Sequence, residues 1–179
     1  MGRLVLILGG ARSGKSHFAE QLARERGGDK VLFVATAEVR DEEMRARVEK
    51  HRRERPAAWR TVEVPRGVGQ ALRREVHDAA VALVDCMTLL VANVMGDAPD
   101  PFAEALAAQV QAEVDALIAA AQAGPAEVII VSNEVGLGLV PANPLGRAYR
   151  DLLGQANQAL ARAADEVYFL VAGIPMRVK

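Results

Sequence analysis

The residues with the clearest chemical potential form a glycine-rich segment near the N-terminus. Residues 9 to 16 read GGARSGKS and match the pattern G-x-x-x-x-G-K-[ST]. Glycines let a backbone wrap around phosphate oxygens, so that successive N–H groups and a helix N-terminus face the anion. The lysine of such a loop neutralises the β- and γ-phosphates, and the hydroxyl after it is placed to bind Mg²⁺. The pattern predicts a nucleoside triphosphate site made of Gly9, Gly10, Ala11, Arg12, Ser13, Gly14, Lys15 and Ser16.

The surroundings of this segment favour the phosphate-loop interpretation over a glycine-rich turn that matches by chance. An apolar run precedes it and an amphipathic helical pattern follows it. A phosphate loop also needs a carboxylate at the end of another strand, and the run VALVDCMT offers Asp85. We expect Ser16 and Asp85 to hold Mg²⁺. Asp85 is also suited to cap a following helix, and the two roles are compatible.

A second group of chemically capable residues lies in a basic segment, ATAEVRDEEMRARVEKHRRERPAAWRTVE. On a helix, Arg47, His51 and Arg55 share one face. A neutral imidazole attacks phosphorus well, and guanidinium groups stabilise the charge that develops. The alternative is a solvated helix with an idle histidine, whose arginines pair with Asp41, Glu42, Glu43, Glu49 and Glu54.

The two other histidines lack a comparable basic neighbourhood. His17 follows the phosphate-loop serine, and we expect its side chain to face away from the phosphates. His77 ends an amphipathic helical pattern, where we expect it to interact with the helix carbonyls.

Elements of two kinds must position these residues. Apolar runs rich in Val, Leu and Ile alternate with helical patterns, which is typical of a parallel sheet covered on both faces. The predicted strands are Leu4 to Leu8, Val31 to Ala35, Val81 to Asp85, Val128 to Val131 and Val167 to Ala172. The predicted helices are Lys15 to Arg26, Asp41 to Arg53, Val68 to His77, Phe102 to Ala123 and Leu145 to Ala164.

Two segments depart from this alternation. The stretch WRTVEV, Trp59 to Val64, predicts a short extra strand in an edge hairpin or an excursion from the sheet, because Pro56 ends the preceding helix. The C-terminal stretch GIPMRVK predicts a last short strand beside Val167 to Ala172.

Composition limits the class of protein. The 179 residues fit a single domain over residues 1 to 179, with 51% hydrophobic residues to fill its core. A net charge of -1 argues against nonspecific binding to nucleic acid. A single cysteine, Cys86, excludes an intrachain disulfide and favours a cytoplasmic location. No apolar run is long enough to predict a membrane span.

These motifs together resemble one enzyme family. The segments GGARSGKS, HRRERPAAWRTVE, LVDCMTLLVANVM and SNEVGLGLVPANPLGRAYRDLLGQANQ are similar to those of the bifunctional adenosylcobinamide kinase / adenosylcobinamide-phosphate guanylyltransferase family of cobalamin biosynthesis. The resemblance implies an α/β, RecA-like P-loop domain and a homotrimer with active sites near subunit boundaries. It also implies ATP or GTP as substrates, Mg²⁺ as cofactor, and two reactions at one nucleotide site. The first phosphorylates the aminopropanol hydroxyl of adenosylcobinamide, and the second transfers GMP from GTP to that phosphate through a covalent histidine intermediate.

The resemblance also assigns roles to individual residues. His51 is the histidine within the matching motif and takes the intermediate. Glu63 matches a position for the guanine or ribose, and Asp85 stands where the family has an acidic residue. The nucleotide site further includes Ala35, Thr36, Ala37, Arg52, Arg53, Glu54 and Arg55.

The loop from Ser132 to Gly136 follows a strand end, where doubly wound sheets bind ligands. Asn133 and Glu134 are candidates to position substrate or water. Alternatively, Asn133 caps a turn and Glu134 pairs with Arg147 or Arg150. Two other functions stay open from the residues alone: a small-molecule kinase with no covalent intermediate, and a nucleotide-dependent regulatory switch.

Overall fold

The computed structural model of the chain describes residues 2–38, 42, 45–46, 49, 52–53, 55–96 and 98–179. Within these residues, seven strands form one sheet in the order β3-β2-β4-β5-β1-β6-β7. The strands are β1 (Leu4–Gly9), β2 (Val31–Ala35), β3 (Arg60–Glu63), β4 (Val81–Asp85), β5 (Glu127–Asn133), β6 (Glu166–Val171) and β7 (Ile174–Arg177). All neighbouring pairs are parallel except β6 and β7, which are antiparallel. The predicted mainly parallel α/β sheet is confirmed.

Helices cover both faces of this sheet, as predicted. They are α1 (Lys15–Gly27), α2 (Val68–Glu75), α3 (Met87–Met95), α4 (Glu104–Ala123) and α5 (Pro144–Ala163). Helix α1 packs Ala19, Leu22 and Ala23 against one face of the strands. The other four helices build the larger apolar cluster on the opposite face. The phosphate loop therefore lies on the α1 side of the sheet.

Two helix predictions need correction, and one helix was not predicted. The helix predicted to end at His77 ends at Glu75, and His77 lies in an exposed turn. The helix predicted from Phe102 begins at Glu104, because the Asp100 carboxylate accepts a hydrogen bond from the Phe102 N–H and holds a turn there. Helix α3 was not predicted. It is apolar around most of its surface and continues an apolar strand, so no helical stripe marks it.

The edge strands differ from one another in pairing. Strand β3 is the extra strand predicted near Trp59, but it pairs parallel with β2, so the hairpin alternative is wrong. Strand β7 confirms the predicted C-terminal strand beside β6. The predicted helix from Asp41 to Arg53 lies partly outside the described residues. Its described members, residues 42, 45, 46, 49, 52 and 53, are helical and exposed.

No helix among the described residues is long and apolar enough to cross a membrane.

Two helical glycines provide a matched test of the packing. A Cβ on Gly69 of α2 would overlap the Ala116 carbonyl of α4, whereas a Cβ on Gly154 of α5 would meet nothing within 4 Å. We expect Gly69→Ala to lower the free energy of unfolding by about 1–3 kcal/mol through overpacking. Gly154→Ala should raise it by about 0.5–1 kcal/mol, because alanine favours the helix. Chemical denaturation measures both, and equal effects of the two variants would contradict the close α2–α4 packing.

Candidate nucleotide site

The phosphate loop has the backbone geometry of an anion-binding nest. Arg12 has φ 58° and Gly14 has φ 91°, so left-handed residues alternate along the turn between β1 and α1. Such turns direct successive N–H groups into one concavity. The Lys15 ammonium folds back onto this loop and donates to the Gly10 carbonyl at 3.2 Å. The loop is therefore shaped for a polyphosphate chain, and the Lys15 ammonium already lies against it.

Two of the loop glycines lie close to neighbouring groups, and one of them, Gly14, also has the left-handed backbone that favours glycine. A Cβ on Gly9 would overlap the Ser13 hydroxyl oxygen. A Cβ on Gly14 would lie 3.1 Å from the Gly173 Cα at the tip of the β6–β7 hairpin. That tip is hydrogen bonded to the loop, because the Gly173 N–H donates to the Ser13 carbonyl at 2.9 Å. The C-terminal hairpin thus supports the phosphate loop from outside.

Asp85 faces the same side of the sheet as this loop. It ends β4 and continues the row of Val81 and Leu83, whose side chains pack on the α1 side. Its carboxylate influences Lys15 directly. Burial lowers the pKa of Lys15, while the neighbouring Cys86 and Asp85 act in the opposite direction. The structure therefore brings together the lysine and the carboxylate that were predicted to share the nucleotide.

Arg55 joins the same cluster. Its guanidinium carbon lies 3.5 Å from the centre of the Phe33 ring, and its Nη1 lies 3.5 Å from the Thr61 hydroxyl oxygen. Burial lowers the pKa of Arg55, and the carboxylates of Glu20, Asp85 and Glu63 act in the opposite direction. The half-buried guanidinium is thus held over β2 on the side of the sheet that carries the phosphate loop.

Glu20 is a member of this cluster that sequence reasoning missed. It lies one helical turn after Ser16 on α1, and its carboxylate acts on Arg55. The signal available was its i+4 spacing from the phosphate-loop serine, which places both residues on one helix face. Glu63 sits beside Ala35 in the β2–β3 register, and Ala35 sits beside Asp85 in the β2–β4 register. The two carboxylates therefore flank the end of β2.

The Thr36 side chain is hydrogen bonded to the protein backbone. The residue is fully buried, and its hydroxyl both donates to the Cys86 carbonyl at 2.7 Å and accepts from the Cys86 N–H at 2.8 Å. Those bonds occupy the hydroxyl within the protein. Ala35 is also buried, while Ala37 is partly exposed at the end of β2.

Asn133 ends β5 directly beside Gly9 of β1. Its N–H donates to the Thr88 hydroxyl at 2.9 Å, and its carbonyl accepts from the Asn157 amide at 3.0 Å. Its side-chain oxygen and the Ser13 hydroxyl are buried without a hydrogen-bond partner within the described residues. Buried polar atoms are usually paired, so these two atoms suit a polar ligand at the carboxyl end of β1. Thr88 and Asn157 were not foreseen.

Glu134 is anchored to the phosphate loop through its backbone. Its N–H donates to the Gly9 carbonyl at 3.0 Å, and its carboxylate accepts from the Gly136 N–H at 2.5 Å. Arg147 donates to the carbonyls of Pro141 and Ala142, so its guanidinium braces the loop before α5.

The basic segment is described only in part. His51, Arg47 and Glu54 lie outside the described residues. Arg52 and Arg53 are helical and exposed, and Arg53 Nε donates to the Glu49 carbonyl at 3.4 Å. Of the predicted basic cluster, Arg55 is the member whose contacts with Phe33 and Thr61 hold it against the sheet.

A phosphate loop at the carboxyl end of β1, with a strand-end aspartate beside its lysine, defines a P-loop nucleotide-binding protein. The fold agrees with this class. The chain is similar to the flagellar accessory protein FlaH from Methanocaldococcus jannaschii, with a TM-score of 0.51 at 16% identity over 99% of this chain and 78% of that one. It is also similar to a second solved structure, an ATPase domain, with a TM-score of 0.54 at 16% identity over 93% of this chain and 68% of that one. The fold is therefore RecA-like.

Sequence comparison then gives the family. The model of the family described as cobinamide kinase / cobinamide phosphate guanyltransferase matches residues 5–178, and the chain belongs to this family. It is 42% identical to the bifunctional adenosylcobalamin biosynthesis protein CobU of Escherichia coli (strain K12), over 98% of this chain and 99% of that protein. It is 44% identical to the bifunctional adenosylcobalamin biosynthesis protein CobP of Pseudomonas aeruginosa, over 97% and 96%. The chain is thus an enzyme that uses nucleotides, with the two activities for which its family is named.

The single cysteine offers a chemical probe of this site. Burial, with a smaller contribution from Asp85, raises the pKa of the Cys86 thiol from 9.0 to about 12. At pH 8 we therefore expect about a thousandfold less thiolate in the folded protein than in the unfolded chain, and correspondingly slow alkylation by iodoacetamide. In the folded protein the rate should keep rising with pH beyond 9. A plateau of the alkylation rate near pH 9 would show that burial does not raise the pKa of the Cys86 thiol.

Proposed function

We propose that this chain, as a single P-loop domain over residues 1 to 179, carries out both reactions at one nucleotide site. It phosphorylates the aminopropanol hydroxyl of adenosylcobinamide with ATP or GTP. It then transfers GMP from GTP to adenosylcobinamide phosphate through a guanylyl intermediate on His51, which gives adenosylcobinamide-GDP. The observation that carries the proposal is a phosphate loop whose Lys15 senses the strand-end carboxylate of Asp85 electrostatically, in a chain of this family.

The phosphate loop gives both reactions the same anchor. Its N–H groups and Lys15 hold the triphosphate, with Gly9, Gly14 and Ser16 shaping the turn. Because these contacts address phosphates and not the base, they serve ATP and GTP alike. Glu63, at the exposed end of β3, is the residue that we assign to the guanine or ribose.

The site also fits Mg²⁺. The Ser16 hydroxyl and the Asp85 carboxylate are hard oxygen donors, and Mg²⁺ commonly takes one or two protein oxygens together with phosphate oxygens. Bound there, the ion would neutralise charge on the phosphates. Ser16 follows Lys15 in the first turn of α1, and Asp85 acts electrostatically on Lys15, so both donors adjoin the triphosphate site.

In the kinase step, the substrate hydroxyl oxygen attacks the γ-phosphorus while the bond to the β–γ bridging oxygen breaks. The nucleoside diphosphate leaves, and the hydroxyl proton passes to solvent or to a nearby carboxylate. Lys15 stabilises the negative charge on the transferred group. Asn133 and Glu134 adjoin Gly9, and we assign to them the positioning of the acceptor or of water.

In the transferase step, an imidazole nitrogen of His51 attacks the α-phosphorus and pyrophosphate leaves. A phosphate oxygen of adenosylcobinamide phosphate then attacks the same phosphorus, and the imidazole is released. The P–N bond keeps a high transfer potential, so one difficult displacement becomes two easier ones. We assign Arg52, Arg53 and Arg55 to the stabilisation of charge, with Glu54 lying between them in sequence.

Assembly completes the proposal. We infer a homotrimer in the cytoplasm, with active sites near subunit boundaries. Exposed apolar side chains on and beside the edge strand β7 support an association between chains: Val171, Ile174, Met176 and Val178. The single cysteine is consistent with a reducing compartment.

Intact-mass measurement after incubation with GTP and Mg²⁺, without acceptor, tests the covalent step. We expect one added GMP per chain in the natural protein. His51→Ala should lose this adduct and the transfer of α-label from GTP, while phosphorylation of cobinamide persists to a measurable degree. His17→Ala and His77→Ala serve as controls, because both side chains are exposed, and both should keep the adduct. An undiminished adduct on the His51 variant would remove His51 from the mechanism, and phosphorylation with no adduct on the natural protein would favour a simple kinase.

A further inference from the structure

A buried polar network made by Thr36 and Asn93 lies directly behind Asp85. The Thr36 hydroxyl spans the N–H and the carbonyl of Cys86, as an acceptor at 2.8 Å and a donor at 2.7 Å. The Thr36 N–H donates to the Asp85 carbonyl at 3.1 Å. Three hydrogen bonds from one residue at the end of β2 thus hold the backbone on the carboxyl side of Asp85.

Asn93 extends this network to the next strand. Its side chain is buried on α3, and its Nδ2 donates to the Thr36 carbonyl at 2.8 Å and to the Pro65 carbonyl at 3.0 Å. Pro65 follows β3, so one amide ties the end of β2 to the segment after β3. Through Thr36 the same amide is linked to the end of β4. Thr36 and Asn93 therefore cross-link the three strand ends at this side of the sheet.

The surroundings indicate that this network fixes the positions of backbone groups and does not serve mainly to fill the core. The neighbours of Asn93 on α3 include Leu90, Val91 and Met95, all in the apolar core. An apolar residue at position 93 would satisfy that core without the cost of burying an amide. A fully hydrogen-bonded buried network instead fixes one arrangement of the groups that it joins.

We propose that Thr36 and Asn93 are positioning residues that hold the Asp85 carboxylate toward the phosphate loop. Neither touches the reacting atoms. Thr36 acts through the backbone of Asp85 and Cys86, and Asn93 acts through Thr36, as outer residues orient a metal-binding carboxylate. The inference rests on the proposed role of Asp85 toward Mg²⁺ and adds the two residues on which that role depends.

Three variants test it. Thr36→Val is nearly isosteric and removes the hydroxyl, whereas Thr36→Ser keeps it. Trp59→Phe is the matched control, because it removes one side-chain hydrogen bond of a buried residue, from the indole N–H to the Gly28 carbonyl at 3.0 Å, at the amino ends of β2 and β3 and away from Asp85. The readouts are the melting temperature, the affinity for a fluorescent GTP analogue without Mg²⁺, and the Mg²⁺ concentration that half-saturates the increase in that affinity.

We expect Thr36→Val to raise the half-saturating Mg²⁺ concentration about tenfold, the size that loss of an outer positioning contact produces. Thr36→Ser should restore the natural value. Trp59→Phe should lower the melting temperature and leave the Mg²⁺ dependence unchanged. If Thr36→Val does not fold, Asn93→Leu, which loses the amide donors at similar volume, replaces it, with the same rise in the Mg²⁺ requirement and a Mg²⁺-free affinity within about twofold of the natural value.

Equal Mg²⁺ dependence in the Thr36→Val and Trp59→Phe proteins would overturn the inference and reduce the network to a stabilising role. Asp85→Asn separates this failure from that of the proposed function. If Asp85→Asn raises the Mg²⁺ requirement and Thr36→Val does not, only the positioning role is lost. If Asp85→Asn itself changes nothing, the Mg²⁺ role of Asp85 and the inference built on it are both wrong.

Discussion

The electrostatic interaction of one ammonium group with one carboxylate, at the carboxyl edge of a parallel sheet, is the constraint on which the rest of this structure depends. Lys15 begins α1 after β1, and Asp85 ends β4, with β5 between those two strands. The register of three strands must be correct for the two groups to act on each other. Burial disfavours the charge on Lys15, and the nearby acidic groups favour it. A triphosphate bound here meets a cation that is partly stripped of water and therefore strongly attractive.

Several surrounding elements hold the phosphate loop and the charged groups near it in place. The β6–β7 hairpin supports the phosphate loop through Gly173, and the backbone of Glu134 is hydrogen bonded to Gly9. On the other side, Arg55 stacks on Phe33 amid the carboxylates of Glu20, Glu63 and Asp85. The cluster holds the cations Lys15 and Arg55 among carboxylates before any ligand is bound. A nucleotide therefore enters a site whose charges are already arranged, which is the condition for electrostatic catalysis.

The sequence was sufficient to predict the features that depend on local pattern. The phosphate loop, the alternation of apolar strands with helices and the C-terminal strand each have a local pattern that identifies them. Features that depend on non-local pairing were not predictable. Strand β3 pairs with β2, which lies about thirty residues earlier in the chain, and no local pattern indicates that pairing. Helix α3 was not recognised because its apolar residues directly continue those of β4. Thr36 and Asn93 carry ordinary polar side chains, and only the fold shows that they meet. The role of Glu20 was likewise not predictable, because only the fold lets its carboxylate act on Arg55.

The central claim is that one nucleotide site serves both reactions, and competition by a single inert nucleotide tests it most directly. β,γ-Imido ATP should inhibit the phosphorylation of adenosylcobinamide. It should also inhibit guanylyl transfer to separately supplied adenosylcobinamide phosphate, competitively with GTP and with the same inhibition constant, at one equivalent bound per chain. Two bound equivalents, or inhibition of phosphorylation alone at saturating analogue, would contradict the account and require a second nucleotide site.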